Sequence, residues 1–393
     1  MATEARVRLN YIDWLRVLAV IVLFIFHSGE IFTEWTFYVM DKALSPVIRG
    51  INAFIYQWHM PLFMFLAGMS SYFALNFRSG RMYLYERVKR LFIPLGFGIL
   101  FVIPPLAYLR MFGDPDMVWP NGFEFNAPGP VYDKNFFEFY PDFFNGVYPN
   151  GNLEWGHLWF LAYLFTFSVI ILPLFLYLKS KKGWGIIEFL VRIVEKPFGI
   201  FSFSVPIIII EVLLRWKFPN FQNLISDWAN FFMFITLFLY GFIFISHKAF
   251  INAIEKYWKI ALAFGLTLSV GISVADSIGF KLFHNEVFDY IFAMIIRGFN
   301  IWCCLIGIAG FGKRFLNIEG KFIKYAGEVA LPFYIIHLFF VSVIGFFAIK
   351  LSLPIAGKYI LIIILSFLSA VIFYEFFIRR FNVIRFFFGQ KSI

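Results

Sequence analysis

Apolar runs of about 20 residues, the length that crosses a bilayer, recur along this chain from Ile12 to its C-terminal region. Hydrocarbon offers backbone N–H and C=O groups no hydrogen-bond partner, so only helices and closed barrels can cross it. Uninterrupted runs are typical of helices, because barrel strands alternate apolar and polar residues. Of the 393 residues, 61% are hydrophobic and 15% are charged, values outside the range of ordinary soluble domains. The sequence therefore predicts an all-α, polytopic membrane protein.

Ten transmembrane spans are predicted, of which the fifth is short and interrupted by Pro206. The spans lie near residues 11–32, 51–76, 91–112, 156–178, 200–214, 227–246, 257–275, 287–312, 330–350 and 356–378. The first run is too long for the core of a signal peptide, so we expect it to remain as a span. Residues 1–393 are predicted to form a single transmembrane domain.

The positions of the basic residues predict the orientation of the chain. With both termini in the cytoplasm, 23 of the 34 Lys and Arg residues fall on the inner side, nine on the outer side and two within spans. This bias follows the positive-inside rule. It also explains the net charge of +10 without a nucleic-acid partner, since the basic residues are spread over several inner loops. We expect a multi-pass protein of the cell's inner (cytoplasmic) membrane, surrounded by lipid.

The longest predicted outer loop comprises residues 113–155 and carries seven acidic residues, one lysine and twelve aromatic residues. Loops of this length are usually functional or disordered, and so many aromatic residues argue against disorder. We expect the loop to fold back over the outer mouth of the protein. Carboxylates among aromatic rings suit a sugar, whose hydroxyls bind the carboxylates while its C–H faces pack on the rings. A cap that excludes lipid is an equally good interpretation.

Ionisable residues interrupt the first span, "NYIDWLRVLAVIVLFIFHSGE". Arg16 is placed one turn above the inner boundary with Asp13 three residues before it, and His27 lies about 16 Å farther out on the same helix. Glu30 follows His27 at the spacing of one helical turn, where it could orient the imidazole ring. Residues this deep usually face a cavity and carry function, so His27, Arg16 and Glu30 are the candidates for the catalytic group. A structural hydrogen bond to a neighbouring helix is the alternative for His27, and a place in the outer interface is the alternative for Glu30. Snorkelling of Arg16 to the inner interface remains an alternative.

Two further stretches carry candidate residues. "YQWHMPLFMFLAG" places His59 at a depth similar to that of His27, so the two imidazoles are expected to share one chamber. "YERVKRLFIP" places Arg87 and Arg90 three residues apart at the cytoplasmic start of the third span. Two guanidiniums on one face of a helix N-terminus would bind a phosphate or diphosphate. Ordinary positive-inside charge is the alternative interpretation of this pair.

Four further candidates are assigned to substrate binding together with His59. His157 and Trp159 open the fourth span in "GHLWFLAYL", and His337 lies in "LPFYIIHLFF". Arg297 lies within the eighth span, so it should pair with a carboxylate or line water. No metal site is predicted, because the adjacent pair Cys303 and Cys304 has no metal-ligand spacing and is read as part of the core.

Taken in their order and spacing, these stretches resemble the acyltransferase family 3 membrane enzymes. The matching motifs are "DWLR" followed by His27, "WHMPLFMFLAG", the Arg-x-x-Arg pair before "LFIP", "GHLWFLAYL" and "LPFYIIHL". The chain departs from many relatives after Trp159, where Leu161 and its neighbours stand in place of an acidic residue. The likeness covers essentially the whole transmembrane body.

The resemblance implies an enzyme that moves an acetyl, succinyl or other short acyl group from cytoplasmic acyl-CoA to an extracytoplasmic glycan. It implies a catalytic role for His27, and it implies that Arg16, Arg87 and Arg90 handle the acyl-CoA. The physics of ten helices with buried charge fits a carrier or flippase for a glycan or lipid-linked intermediate as well. The sequence leaves open the acyl group, the acceptor and whether the chain forms a homo-oligomer.

Overall fold

The structure, a computed structural model, describes residues 9–35, 37–112, 133–148, 151–219, 222–277, 281–283 and 285–392. These residues form helices and contain no strand, only an isolated bridge between Val147 and Leu153. The α-helices are α1 (Asn10–Glu30), α2 (Pro46–Tyr56), α3 (His59–Phe77), α4 (Gly80–Arg87), α5 (Ile93–Phe101), α6 (Ile103–Arg110), α7 (Phe136–Asp142), α8 (Trp159–Ile170), α9 (Leu172–Lys179), α10 (Lys181–Val194), α11 (Ser204–Leu214), α12 (Trp228–Ser246), α13 (Lys248–Ser277), α14 (Glu286–Phe315), α15 (Lys321–Ala348), α16 (Ile355–Phe373) and α17 (Asn382–Phe387). The predicted all-α class is confirmed.

Within the described residues, eight helical segments are long and apolar enough to cross a membrane. They are Asn10–Glu30, Pro46–Phe77, Gly80–Arg110, Trp228–Ser246, Lys248–Ala275, Glu286–Phe315, Lys321–Ala348 and Ile355–Ile378. Helices α8 and α9 make a ninth only as a pair bent by 50°, and Gly199–Leu214 is a shorter apolar helix. Every predicted span thus has a helical counterpart, whereas the number ten and the cytoplasmic placement of both ends stay predictions.

The third spanning segment shows why the helix bounds differ from the expected ones. It begins at Gly80 and contains a π-helical turn at Val88–Phe92 between α4 and α5. Pro94 and Pro104 stand in the first turn of α5 and α6, where a residue without an N–H is tolerated. The polar sequence before residue 91 therefore belongs to the helix and not to a loop.

The chain forms two compact units. Unit 1 comprises the described residues of Met1–Ala19, Phe54–Glu86 and Tyr163–Gly327. Inside it α3 and α12 approach so closely that a Cβ on Gly68 would lie 2.0 Å from the carbonyl oxygen of Phe238. A Cβ on Gly241 would lie 1.9 Å from the carbonyl oxygen of Phe65. Small residues permit such backbone approach between membrane helices.

Unit 2 comprises the described residues of Val20–Ala53, Arg87–Ala162 and Glu328–Ile393. It holds the described part of the long loop, in which Asn135 and Glu138 form a capping box that starts α7. The Tyr140 hydroxyl donates to the carbonyl of Leu100 in α5 at 3.0 Å, and the Tyr108 hydroxyl of α6 donates to the carbonyl of Lys134 at 3.1 Å. The loop thus returns onto the third spanning segment, while residues 113–132 lie outside the described residues.

Candidate functional site

His27 and Glu30 form a hydrogen-bonded dyad in the last turn of α1. Glu30 Oε2 lies 2.5 Å from His27 Nδ1, and both side chains are mostly buried. The carboxylate accepts, so Nδ1 carries the hydrogen and Nε2 of the neutral ring keeps its lone pair. The rings of Phe26 and Phe37 lie with their centroids 5.1 and 6.0 Å from that of His27. The expected orientation of His27 by Glu30 is therefore present, and the ring can act as a proton acceptor.

Two more histidines continue from His27 to form a row of three imidazoles within unit 2. The centroid of the His337 ring lies 5.1 Å from that of His27 and 5.0 Å from that of His157. His337 is fully buried in the middle of α15, and His157 is 7% exposed in the 3₁₀ turn that precedes α8. The structure thus brings together three of the histidines that the sequence singled out, from three separate parts of the chain.

Backbone carbonyls hold the rings of His337 and His157. His337 Nδ1 lies 2.7 Å from the carbonyl oxygen of Tyr334, one turn before it in α15. His157 Nε2 lies 2.9 Å from the carbonyl oxygen of Ile335. The Tyr334 hydroxyl donates in turn to the carbonyl of His157. α15 therefore fixes both rings through consecutive residues of one helical turn.

Gly156 explains why the turn that carries His157 begins with glycine. Its φ of +47° is a left-handed conformation, which residues with a Cβ seldom adopt. A Cβ at this position would also lie 2.4 Å from the hydroxyl oxygen of Tyr38. Trp159, the first residue of α8, is half-buried two residues beyond His157, and its assignment to substrate binding stays a prediction.

Arg16 and His59 belong to unit 1. Arg16 Nη1 lies 3.1 Å from Asp13 Oδ1, as expected, and its Nη2 donates to Ser70 Oγ at 2.7 Å. His59 is buried in the first turn of α3, and its Nε2 donates to the carbonyl of Ala19 at 2.7 Å. The imidazole beside His27 is that of His337, and the expected chamber shared by His27 and His59 stays a prediction. The sequence could not identify His337 as the neighbour, because more than 300 residues separate the two.

Arg87 and Arg90 do not lie at a helix N-terminus, which corrects the sequence-based expectation. Arg87 ends α4, two turns after the helix begins at Gly80, and Arg90 lies in the π-helical turn. Their backbone N–H groups lie within a continuous helical segment, so the helix dipole gives them no special affinity for an anion. Arg90 is exposed and Arg87 is half-buried. Anion binding by this pair would therefore rest on the guanidinium groups alone.

Arg297 pairs with a carboxylate that the sequence analysis did not single out. Its Nε lies 3.0 Å from Glu211 Oε2, and Glu211 is fully buried in α11. Arg215 Nη2 donates to Glu211 Oε1 at 2.6 Å, and its Nη1 donates to Asn230 Oδ1 at 2.9 Å. This cluster lies in unit 1. The signal in the sequence was a single acidic residue within the apolar run "PIIIIEVLL", the position where a buried charge needs a partner.

The chemistry of the row is that of hydrogen bonding and proton transfer. Among the described residues, no three His, Cys, Asp or Glu side chains are grouped so that they could hold a metal ion. Cys303 and Cys304 are both buried and unlinked, in agreement with their interpretation as core residues. The arrangement in unit 2 offers a base with an orienting carboxylate, flanked by aromatic rings and two further imidazoles.

Comparison with known proteins places this geometry in context. A family model described as an acyltransferase domain, of acyltransferase family 3, matches residues 9–375. Curated relatives include the glucans biosynthesis proteins C of Escherichia coli strain SMS-3-5, E. coli O139:H28 and Shigella dysenteriae serotype 1. Each is 23% identical over 338 residues, which cover 83% of this chain and 80% of the relative. No solved structure matches the chain.

Proposed function

The chain belongs to acyltransferase family 3, and from this membership we propose that it moves an acetyl or succinyl group from cytoplasmic acyl-CoA to an extracytoplasmic glycan hydroxyl. It is a membrane acyltransferase for groups other than aminoacyl groups. The relatives named glucans biosynthesis protein C support a glucan as the acceptor. Placement in the cell's inner membrane, with both termini in the cytoplasm, belongs to the same proposal.

The dyad of His27 and Glu30 is the observation that carries this proposal. His27 Nε2 takes the proton of the glucan hydroxyl while the hydroxyl oxygen attacks the thioester carbonyl. The tetrahedral intermediate then collapses, the C–S bond breaks and the CoA sulfur receives the proton from the imidazolium. Glu30 holds Nδ1–H throughout, so that the ring presents Nε2 and the charged imidazolium is stabilised. No metal is required in these steps.

A covalent acyl-histidine is the second route open to the same residues. In that route His27 Nε2 attacks the thioester itself, and the glucan hydroxyl removes the acyl group in a second step. Initial rates distinguish the two routes. Parallel lines in double-reciprocal plots, together with release of CoA before the acceptor is added, indicate the acyl-enzyme, whereas intersecting lines indicate direct transfer.

Binding of the donor is assigned to arginines on the cytoplasmic side. Arg87 and Arg90 bind phosphate groups of acyl-CoA through their guanidiniums, and the family resemblance implies that Arg16 also handles the donor. In the predicted orientation, the thioester then reaches His27 from the inner side while the glucan approaches from the outer side. Only the acyl group has to cross the membrane.

Purified protein in lipid nanodiscs provides the test. It is supplied with acetyl-CoA or succinyl-CoA labelled in the acyl group and with glucan oligosaccharide as acceptor. We expect label in the oligosaccharide as a base-labile ester, formed much more slowly by a His27→Ala variant. If neither donor labels the glucan while proteoliposomes of the same protein take glucan up, the chain acts as a carrier and the proposal is wrong.

A further inference from the structure

His157 and His337 each keep one ring nitrogen buried and without a hydrogen-bond partner. The atoms are His157 Nδ1 and His337 Nε2, and no described residue bonds to either. Buried polar atoms of this kind are rare in folded proteins and point to a ligand or water that completes them. Since both rings belong to the row that begins at His27, the ligand would lie beside the reacting hydroxyl.

The bonds on the opposite nitrogens determine what these two atoms can accept. A carbonyl oxygen only accepts, so His337 Nδ1 and His157 Nε2 must carry the hydrogens that they share with Tyr334 and Ile335. In a neutral imidazole the other nitrogen then holds a lone pair. His337 Nε2 and His157 Nδ1 are therefore hydrogen-bond acceptors, fixed as such by the backbone of one helix.

From this geometry we infer that His157 and His337 form a hydroxyl-recognition pair for the acceptor, an inference that rests on the proposed function. One sugar hydroxyl faces His27, and further hydroxyls of the same sugar donate to His337 Nε2 and His157 Nδ1. Phosphates, carboxylates and the thioester carbonyl carry no hydrogen to donate, so the pair rejects them.

The surroundings of the row fit a sugar. The centroid of Phe37 lies 6.0 Å from that of His27 in a stacked arrangement, and that of Phe24 lies 5.7 Å from that of His337. Both phenylalanines are buried, so the surroundings of the row are apolar, as suits the C–H groups of a pyranose. Adjacent imidazoles about 5 Å apart match a ligand with several hydroxyls in sequence better than one with a single donor.

Two substitutions remove the lone pairs and keep the structural bonds. The amide nitrogen of asparagine is as far from Cα along the side chain as Nδ1 of histidine. A His337→Asn variant can therefore still donate to the Tyr334 carbonyl, but it has no acceptor at the Nε2 position. The amide nitrogen of glutamine is about as far from Cα along the side chain as Nε2 of histidine. A His157→Gln variant can therefore still donate to the Ile335 carbonyl, but it has no acceptor at the Nδ1 position.

The expected result is a change in acceptor use alone. In each variant the KM for glucan rises about tenfold or more, because a buried hydroxyl loses its partner, while the KM for acyl-CoA stays unchanged. An unchanged KM for glucan overturns the inference. A rise in the KM for acyl-CoA also overturns it, because the lone pairs would then serve the amides of the pantetheine arm.

A second measurement uses the wild-type protein and so does not depend on the folding of a variant. The acceptors are methyl glucoside and its monodeoxy and monofluoro analogues at carbons other than the one acylated. Fluorine accepts but cannot donate, so deoxy and fluoro analogues of the recognised position should lose the same activity, about tenfold each. Equal transfer to all analogues overturns the inference while leaving the acyltransferase proposal intact. Absence of transfer to methyl glucoside and glucan alike counts against that proposal itself.

Discussion

The carboxylate of Glu30 lies 2.5 Å from His27 Nδ1 and one helical turn beyond it in α1. This hydrogen bond fixes the orientation of the His27 ring, so that Nε2 faces the substrate in the proposed mechanism. A Glu30→Gln variant should therefore lower kcat by about ten- to a hundredfold. The KM for either substrate should change little, since Glu30 contacts neither. Steady-state kinetics in detergent measure both constants. Glu34→Gln is the matched control, because Glu34 pairs with Arg49 at 3.5 Å in a partly exposed ion pair, and it should behave as wild type.

Arg87 and Arg90 should contribute to donor affinity. The double variant Arg87→Ala with Arg90→Ala should weaken acyl-CoA binding about a hundredfold or more, since hydrogen bonds to charged groups are worth about 1.5–3 kcal/mol each. Calorimetric titration of CoA into purified protein measures the change. Arg81→Ala, at an exposed position of the same helix, is the control and should bind as wild type. Unchanged affinity for CoA in the double variant would show that Arg87 and Arg90 act only as positive-inside charges that orient the chain in the membrane.

The sequence predicted the local relationships of the site better than its distant ones. The pairs Asp13–Arg16 and His27–Glu30 follow from helical spacing alone, and both are present in α1. The row of His27, His337 and His157 depends on packing between distant segments, which no local pattern reports.

The bounds of the helices show a second limit. A polar stretch before an apolar run reads as a loop, yet residues 80–90 continue the third helical segment with charged side chains on it. Hydropathy identifies the part of a helix that can lie in lipid, whereas the helix itself continues as far as its backbone hydrogen bonds continue. Glu211 was overlooked because an isolated acidic residue in an apolar run gives no indication of its partners.

The described part of the outer loop separates two kinds of phenylalanine. Phe137 is 85% exposed on α7, whereas Phe139 is fully buried. If the loop binds glucan, Phe137→Ala should raise the glucan KM several-fold and leave hydrolysis of acyl-CoA by water unchanged. If the loop is only a lid, the variant should instead increase hydrolysis. Parallel assays of both reactions in the one variant distinguish these outcomes.

Phe139→Ala, and with it the triple variant of Phe136, Phe137 and Phe139, is a poorer probe. Phe139 packs against Tyr108 with ring centroids 5.5 Å apart, so its removal leaves a cavity and would destabilise the loop by about 3–5 kcal/mol. Phe137 alone therefore tests the role of the loop without disturbing its packing.

Glu211 should be essential for the stability of unit 1. It is the carboxylate for both Arg215 and Arg297, and breaking a buried ion pair on one side destabilises a protein by about 3–5 kcal/mol. Glu211→Ala should therefore lower the thermal unfolding temperature sharply in detergent. Replacement of all three residues by methionine should recover part of the loss, because no unpaired charge remains.

The control for this cluster is Glu255→Ala. Glu255 pairs with Lys313 at 2.9 Å but is half exposed, so its removal should change stability by less than about 1 kcal/mol. Similar unfolding temperatures for the Glu211 and Glu255 variants would show that the buried cluster is not a structural support.

The decisive quantity is the rate at which purified protein transfers labelled acyl groups from acyl-CoA to glucan, compared between wild type and His27→Ala. One imidazole adds little packing, so the variant should elute and unfold as wild type and should bind acyl-CoA with unchanged affinity. Its transfer rate should fall about 10²- to 10⁴-fold, the usual contribution of a general base. Wild-type turnover by a well-folded His27→Ala protein would contradict the assignment of His27 as the base.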